Sequence, residues 1–157
     1  MMIKKIKFFL FLLFLYSCGY SPIYEMNQKQ NFGLDKISYS GEKKIGREIA
    51  LNLEKFKNKE TQNIFDAVMV ISKRLEIVSK DKKGDPSSFK LIIDLKLNLE
   101  SKTSSNNFEK KFIKVKTFDS MDNKFELNQY MNNLEKNMIF NILQDINIFL
   151  NIIENDL

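Results

Sequence analysis

Cys18 is the only cysteine among the 157 residues, and its thiol is the strongest nucleophile that the chain offers. The sequence contains no histidine, which excludes His-based catalytic triads and most zinc sites. The five glycines are scattered and form no phosphate-binding loop. The acidic residues are spread along the chain as solvated surface charges would be, and only a carboxylate pair brought together by folding stays open as a catalytic arrangement. The sequence therefore predicts a protein that is not an enzyme and that needs no cofactor or metal.

The N-terminus has the plan of an export signal. A short basic stretch, Met1–Lys7, precedes an apolar run of nine residues, Phe8–Tyr16. Such a run is too short to cross a hydrocarbon core, which needs about 20 residues. We therefore predict that residues 1–17 are a signal peptide cleaved before Cys18, with an uncleaved anchor as the alternative.

The residues around the cleavage point resemble the bacterial lipobox. Leu15 provides the aliphatic residue three positions before the cysteine, Tyr16 is bulkier than usual, and Ser17 is the small residue just before Cys18. In this motif the thiol takes a diacylglycerol and the new amine takes another acyl chain, which together make a durable membrane anchor. Gly19 rather than Asp follows the cysteine, which by resemblance to Gram-negative lipoproteins favours passage to the outer membrane. The expected location is lipid-anchored on the periplasmic side of the outer membrane.

The charge of the mature chain is nearly balanced. The whole sequence has a formal net charge of +5, but three of its lysines lie in the predicted signal peptide. Without residues 1–17 the chain keeps 22 basic and 20 acidic residues. This excess is too small, and too little interleaved with aromatic residues, to indicate a nucleic-acid partner.

Beyond a lipidated N-terminus and tether at residues 18–31, the apolar periodicity predicts six elements. Recurrence every three or four residues indicates a helix, and alternation indicates a strand. The predicted strands cover residues 34–40, 65–78, 89–99 and 108–118, and the predicted helices cover residues 42–57 and 125–154. Residues 81–88, DKKGDPSS, form the strongest predicted turn. Imperfect alternation in the fourth strand leaves room for a bulge.

The third strand alternates most regularly. From Phe89 to Leu99 every odd position is apolar, whereas most even positions are polar. One dry and one mostly wet face are typical of an antiparallel sheet that is covered on one side only. The element order then predicts an α+β fold, a two-layer sandwich with two helices packed on one face of a four-stranded, mostly antiparallel sheet. The other sheet face would be open to solvent or to a partner.

The second half of the long C-terminal helix is apolar on more than one face. Extra burial against the sheet or a partner would explain this pattern, and so would a thick core stripe in an Ile-rich sequence. The sequence leaves both explanations open.

Several of these features resemble the LPS-assembly lipoproteins of the LptE family. The mature N-terminus, Cys18–Tyr24, reads CGYSPIY, and the family often has Cys-Gly-aromatic followed by a proline and a second aromatic residue. Gly46 and Ile49 resemble the Gly-x-x-Ile/Leu start of the family's first helix, and Phe125 resembles an aromatic residue before the last helix. The element order is also similar over nearly the whole chain. The loop at 101–107 departs from the family pattern, because it lacks the usual Asp and Gly.

The resemblance implies an LptE-like domain over residues 32–157. Proteins of this family sit inside the β-barrel of the LptD translocon, act as its plug and assembly factor, and contact LPS during its insertion into the outer leaflet. An LPS contact needs cations for the lipid A phosphates. Candidates are Lys90 and Lys96 on the wet face of the best-defined strand, and Lys114 and Lys116 on the next strand.

Other interpretations remain at this stage. The four lysines would also serve as solvated strand charges that deter edge aggregation. The chain as a whole would also fit an auxiliary lipoprotein of an ABC-type lipid-transport system, anchored in the same way but free in the periplasm.

Overall fold

The structure is a computed structural model that describes residues 31–157. The predicted signal peptide, Cys18 and nearly all of the predicted tether lie outside the described residues. The elements in chain order are β1 (Phe32–Gly41), α1 (Lys43–Leu53) with a 3-10 turn (Glu54–Phe56), β2 (Asn63–Lys80), β3 (Pro86–Ser101), β4 (Phe108–Asp119) and α2 (Lys124–Asp156).

The four strands form one sheet in the order β1-β2-β3-β4. β1 is parallel to β2, and the β2–β3 and β3–β4 pairs are antiparallel. A parallel pair needs a crossover connection, which α1 supplies. Both α-helices cover the same face of the sheet, so the predicted α+β two-layer sandwich is confirmed.

The core lies between the helices and the odd-numbered residues of β2 and β3. These side chains are buried because the strand period of two points them all towards the helices. The buried strand residues are Phe65, Ala67, Met69, Ile71, Leu91, Ile93, Leu95, Leu97 and Leu99. The helices meet them with Ile45, Ile49, Leu53, Met138, Ile139, Ile142, Ile146, Leu150 and Ile153.

Two glycines allow β1 and α1 to turn and pack closely. Gly41 ends β1 with a φ of +89°, in the left-handed region that favours glycine. Gly46 lies on the buried side of α1, where an added Cβ would be 2.3 Å from Cδ2 of Tyr39. The glycine of the Gly-x-x-Ile segment therefore lets the helix lie against a β1 side chain.

Helix α2 runs along the sheet in antiparallel sense to β4. The side chain of Asn123 caps its first turn by accepting a hydrogen bond from the N–H of Phe125 at 2.9 Å. Phe118 contacts Tyr130 near the start of the helix, and Phe112 contacts Phe149 near its end, with ring centroids 5.6 and 6.0 Å apart. Among residues 31–157, none of the helices has a stretch apolar and long enough to cross a bilayer.

Two expectations about the strands need correction. β3 begins at Pro86 rather than Phe89, because the Ser79 hydroxyl lies 2.7 and 2.6 Å from those of Ser87 and Ser88 and extends the hairpin. The bulge allowed in β4 is absent, since β3 and β4 pair in continuous register. β4 lies at the edge of the sheet, so a lysine on its helix-facing side can still reach solvent. For this reason the apolar alternation of β4 is imperfect.

Candidate docking surfaces

The sheet face opposite the helices is not covered by any described residue. We call it the open face; it carries the even-numbered residues of β2 and β3 and the odd-numbered residues of β4. Its apolar members Val70, Ile113 and Val115 are 48–50% exposed. Ile92 lies directly opposite Val115 in the β3–β4 register and forms an apolar strip with Ile113 and Val115, whereas Val70 lies opposite Lys96 of β3. An apolar strip of this kind on an uncovered sheet fits a surface that meets a partner.

Three cross-strand ion pairs interrupt the apolar strip of the open face. Each joins a lysine to a carboxylate on the neighbouring strand, with N–O distances of 3.1, 2.9 and 2.9 Å: Lys90–Glu76, Lys96–Glu109 and Lys111–Asp94. Exposed pairs of this kind contribute at most about 1 kcal/mol each, so they can exchange partners at low cost. The open face is therefore mixed, with locally neutralised charge rather than a cationic patch.

The structure does not bring the four predicted anion-binding lysines together. Lys90 and Lys96 lie on the open face, whereas Lys114 and Lys116 project from β4 on the helix-covered side. Lys114 is paired with Asp145 of α2 at 2.6 Å, and Lys116 forms no ion pair within residues 31–157. One bound phosphate therefore cannot meet all four lysines.

A groove of about 350 Å³ lies between the edge strand β4 and the last turns of α2. We call it the C-terminal groove. Its walls are mainly apolar, with a few charged groups at the rim: Phe112, Ile113, Ile148, Phe149, Ile152, Lys110, Lys111 and Asp145. The exposed Ile148 and Ile152 belong to the second apolar face of the helix noted in the sequence. A thick core stripe therefore does not account for them.

Glu135 of α2 is a buried acid held by two cations. Its carboxylate accepts hydrogen bonds from the Nζ atoms of Lys44 on α1 and Lys73 on β2, both at 2.7 Å. Burial alone would raise the pKa of Glu135, but the two lysines outweigh burial and hold the pKa below its ordinary value. The hydrogen bond from Lys44 to Glu135 in turn raises the pKa of Lys44. This cluster ties three elements together.

Asp35 forms a second ionic cluster, at the end of the sheet where the chain enters. Its carboxylate pairs with Lys102, which begins the β3–β4 loop, and with Lys59 at 2.7 Å. Hydrogen bonds from these two lysines lower the pKa of Asp35 to about 2. Lys102 also lies 3.3 Å from Asp66, so β1, β2 and the β3–β4 loop are joined here.

Sequence reasoning located the open face but missed the C-terminal groove and both ionic clusters. The groove had a readable signal, because Ile148 and Ile152 fall outside the main apolar stripe of α2. No sequence signal indicated the two ionic clusters. Lys44, Lys73 and Glu135 are separated by up to 91 residues, and only the fold brings them into contact.

Solved structures show where this fold has been seen before. Rare lipoprotein B from Shewanella oneidensis superimposes with a TM-score of 0.62 at 15% identity, over 79% of this chain and 98% of that one. A lipoprotein B from Nitrosomonas europaea gives 0.50 at 15% identity, over 78% and 86% of the two chains. A lipoprotein structure from Caulobacter crescentus gives 0.51 at 10% identity, over 80% and 92%.

Sequence comparison adds no closer relative. No protein-family model matches the chain, and no curated protein matches it. The likeness therefore extends to the fold, over nearly the whole length of each solved domain. The described part of this chain has the fold of bacterial lipoproteins such as rare lipoprotein B.

Proposed function

We propose that this protein is an outer-membrane lipoprotein of the LptE kind, anchored through lipid on Cys18. Its domain, residues 32–157, would dock in an LptD-like β-barrel and act there as plug and assembly factor for LPS insertion. The fold shared with rare lipoprotein B and the lipobox-like Leu15–Cys18 support the lipoprotein assignment. We further propose that it is not an enzyme.

The observation that carries the docking proposal is the open face. A sheet covered on one side leaves a broad surface whose half-exposed apolar residues Val70, Ile113 and Val115 would be shielded by a partner. The ion pairs that border the strip, such as Lys96–Glu109, suit the polar interior wall of a barrel, since they can re-pair with groups on that wall. A compact anchored domain with this surface fits a barrel lumen better than it fits open solvent.

In-cell photo-crosslinking tests the proposal. A photoreactive residue at Val70 or Val115 reports on the open face, and one at the exposed Leu51 of α1 reports on the helical layer. We expect crosslinks to a large outer-membrane β-barrel, with higher yield from the open face than from Leu51. Cys18→Ala should abolish lipid labelling and reduce these crosslinks, because the chain would no longer be held at the membrane.

The same experiment identifies the alternative. The C-terminal groove, with apolar walls and lysines at its rim, is a feature that an auxiliary lipoprotein of an ABC-type lipid-transport system would use to hold an acyl chain. Crosslinks confined to transporter subunits or soluble lipid carriers would favour that function and rule out the barrel plug. Recovery of no barrel protein with the tagged chain would also rule out the barrel plug.

A further inference from the structure

β2 is much longer than the strand beside it. The β1–β2 pairing ends at Gly41 and Ile71, whereas β2 continues to Lys80. From Ser72 to Lys80 the strand has β3 on one side, and no strand among residues 31–157 on the other. We call this segment the free edge.

The hydrogen-bonding groups of the free edge can be assigned. The C=O of Ile71 accepts a bond from the N–H of Glu42 at 3.0 Å, so Ile71 directs its backbone groups away from β3. Since this direction alternates along a strand, Lys73, Leu75 and Ile77 also direct their N–H and C=O groups outward. No described residue is hydrogen-bonded to these outward N–H and C=O groups.

The free edge carries three apolar and four charged side chains among its nine residues. Leu75, Ile77 and Val78 are 46–53% exposed. Protected edges are usually short, interrupted or capped with proline, because a long apolar edge templates another strand. Here the register shifts twice, between Ile77 and Ser79 and between Ser79 and Lys80, and Lys73, Arg74 and Lys80 place charge on the edge. The regular stretch Ser72–Ile77, with the exposed Leu75 and Ile77, is the part of the edge that is suited to pairing.

A cleft beside the free edge offers room for side chains of an added strand. It has a volume of about 450 Å³ and lies between the β2–β3 hairpin and the first turns of α2. Its lining is partly apolar and partly polar: Lys73, Leu75, Leu91, Asn128, Met131, Asn132 and Glu135. Recognition by strand addition uses main-chain bonds for affinity and such pockets for alternate side chains.

The charge around the free edge indicates which kind of partner segment would bind there. Between Ser72 and Asp85 there are five basic and three acidic residues. Two of the acids are engaged, since Glu76 pairs with Lys90 and Asp81 accepts the N–H groups of the turn at 2.8 and 2.9 Å. Two of the bases are engaged as well, Lys73 with Glu135 and Arg74 with Glu76. Lys80, Lys82 and Lys83 form no ion pair within residues 31–157. A second copy would bring the same positive charge to the edge, whereas an acidic segment would neutralise it.

We infer that the free edge, Ser72–Lys80, is a strand-addition site for an extended segment of a partner protein in which apolar and acidic side chains alternate. The inference goes beyond the proposed function and does not depend on the partner being a barrel. β1 enters the sheet beside Asn63, about 55 Å along the strand from Lys80 at the usual rise per residue. The partner segment would therefore bind at the end of the domain farthest from the point where the N-terminal chain joins the sheet.

The test places a photoreactive residue at Ile77 of the full-length protein in cells. The same experiment is repeated with Leu75→Pro, which alters the backbone of the free edge. Leu75→Pro removes an outward N–H without breaking a β2–β3 bond, so the fold should survive. Leu75→Ala is the matched control, because it shortens the same side chain and keeps the N–H. We expect crosslinks to an acidic, alternating polypeptide segment, reduced at least tenfold by Leu75→Pro and much less by Leu75→Ala.

A second measurement uses a synthetic peptide of the crosslinked segment and a copy with its acids replaced by lysine. The acidic peptide should slow hydrogen exchange at Lys73, Leu75 and Ile77 by tenfold or more, and the basic copy should not. If circular dichroism shows that Leu75→Pro does not fold, the triple variant Lys80→Glu, Lys82→Glu and Lys83→Glu takes its place. That variant should lower the crosslink yield by about tenfold.

Several results would overturn the inference. They are a crosslink to a second copy, to lipid or to a non-acidic segment, a crosslink that persists in folded Leu75→Pro, and the absence of any crosslink. An acidic segment from a protein that is not a barrel would support strand addition and leave the proposed function to the crosslinks from Val70 and Val115, so the two can fail separately.

Discussion

Glu135 keeps its charge although its side chain is only 6% exposed. A carboxylate withdrawn from water to this degree would bind a proton more readily unless cations compensated the lost hydration. Lys44 and Lys73 provide the compensation from two different elements, both at 2.7 Å. One side chain on α2 thereby fixes the position of the helix relative to α1 and β2.

Replacing this acid tests the cluster. Glu135→Gln should lower the free energy of unfolding at pH 7 by about 1–2 kcal/mol, less than for a fully buried ion pair because both lysines keep contact with water. Urea unfolding of both proteins measures the difference. Glu60→Gln, at an exposed acid outside the ionic clusters, is the control and should have little effect.

The pH dependence of the same variant has a defined sign. The pKa of Glu135 in the folded protein lies below its unfolded value, so the stabilisation is complete above the unfolded pKa near 4.5. It is lost as the pH falls through the folded pKa and the carboxyl group takes up a proton. The gap between wild type and Glu135→Gln should therefore shrink on acidification below about pH 4.5. A gap that stayed constant would show that the ion pairs are not its cause.

At the scale of the elements, period and turn chemistry located all four strands and both helices to within a few residues. The alternation of Phe89–Leu99 was sufficient because one face is covered by helices and the other is not. The predicted ends of an element were wrong where contacts between distant segments determine them. α1 ends at Leu53 and passes into a 3-10 turn, although the apolar spacing continued to residue 56.

The close packing of α1 on β1 leads to a test at Gly46. Gly46→Ala would normally stabilise a helix by up to about 1 kcal/mol. Here the new methyl group would meet the ring of Tyr39, so we expect a net loss of about 1–3 kcal/mol in the free energy of unfolding.

Removing the ring should reverse the sign of this effect. In a Tyr39→Ala background, Gly46→Ala should become neutral or stabilising, because only the helix propensity would remain. Thermal or urea unfolding of the four proteins of this double-mutant cycle provides the measurement. Equal effects of Gly46→Ala in both backgrounds would contradict the packing explanation.

At the scale of the whole molecule, the position of the lysines matters more than their number. Lys90 and Lys96 share the open face, whereas Lys114 and Lys116 are separated from them by the thickness of the sheet. An LPS phosphate group bound at the open face would compete with Glu76 and Glu109 for the first two lysines. Binding on the other side would have to displace Asp145 from Lys114.

This separation provides a matched pair of charge reversals. We expect Lys90→Glu with Lys96→Glu to reduce LPS capture by about tenfold, the effect of losing roughly 1.4 kcal/mol of binding energy. Lys114→Glu with Lys116→Glu should leave capture nearly unchanged. An LPS pull-down with each purified double variant, checked for folding by circular dichroism, decides between them. Unchanged capture by the first variant would return the four lysines to the role of solvated strand charges.

The sequence by itself determined the order of the elements, the α+β class and the existence of one uncovered sheet face. It could do so because period, turn residues and apolar content are local properties of the chain. It also predicts a lipid anchor on Cys18, since the lipobox-like motif is a short contiguous segment, and this stays a prediction because Cys18 lies outside the described residues.

Only the tertiary structure decided which residues share a surface. The sheet face on which each of the four lysines lies depends on the register between β3 and β4, and this register cannot be read from the sequence of one strand alone. The cluster of Lys44, Lys73 and Glu135 depends on how α1 and α2 lie on the sheet. The free edge depends on β1 ending at Gly41 beside Ile71, so that part of β2 lacks a neighbour. Each is a relation between distant segments, and such relations are settled when the whole core packs.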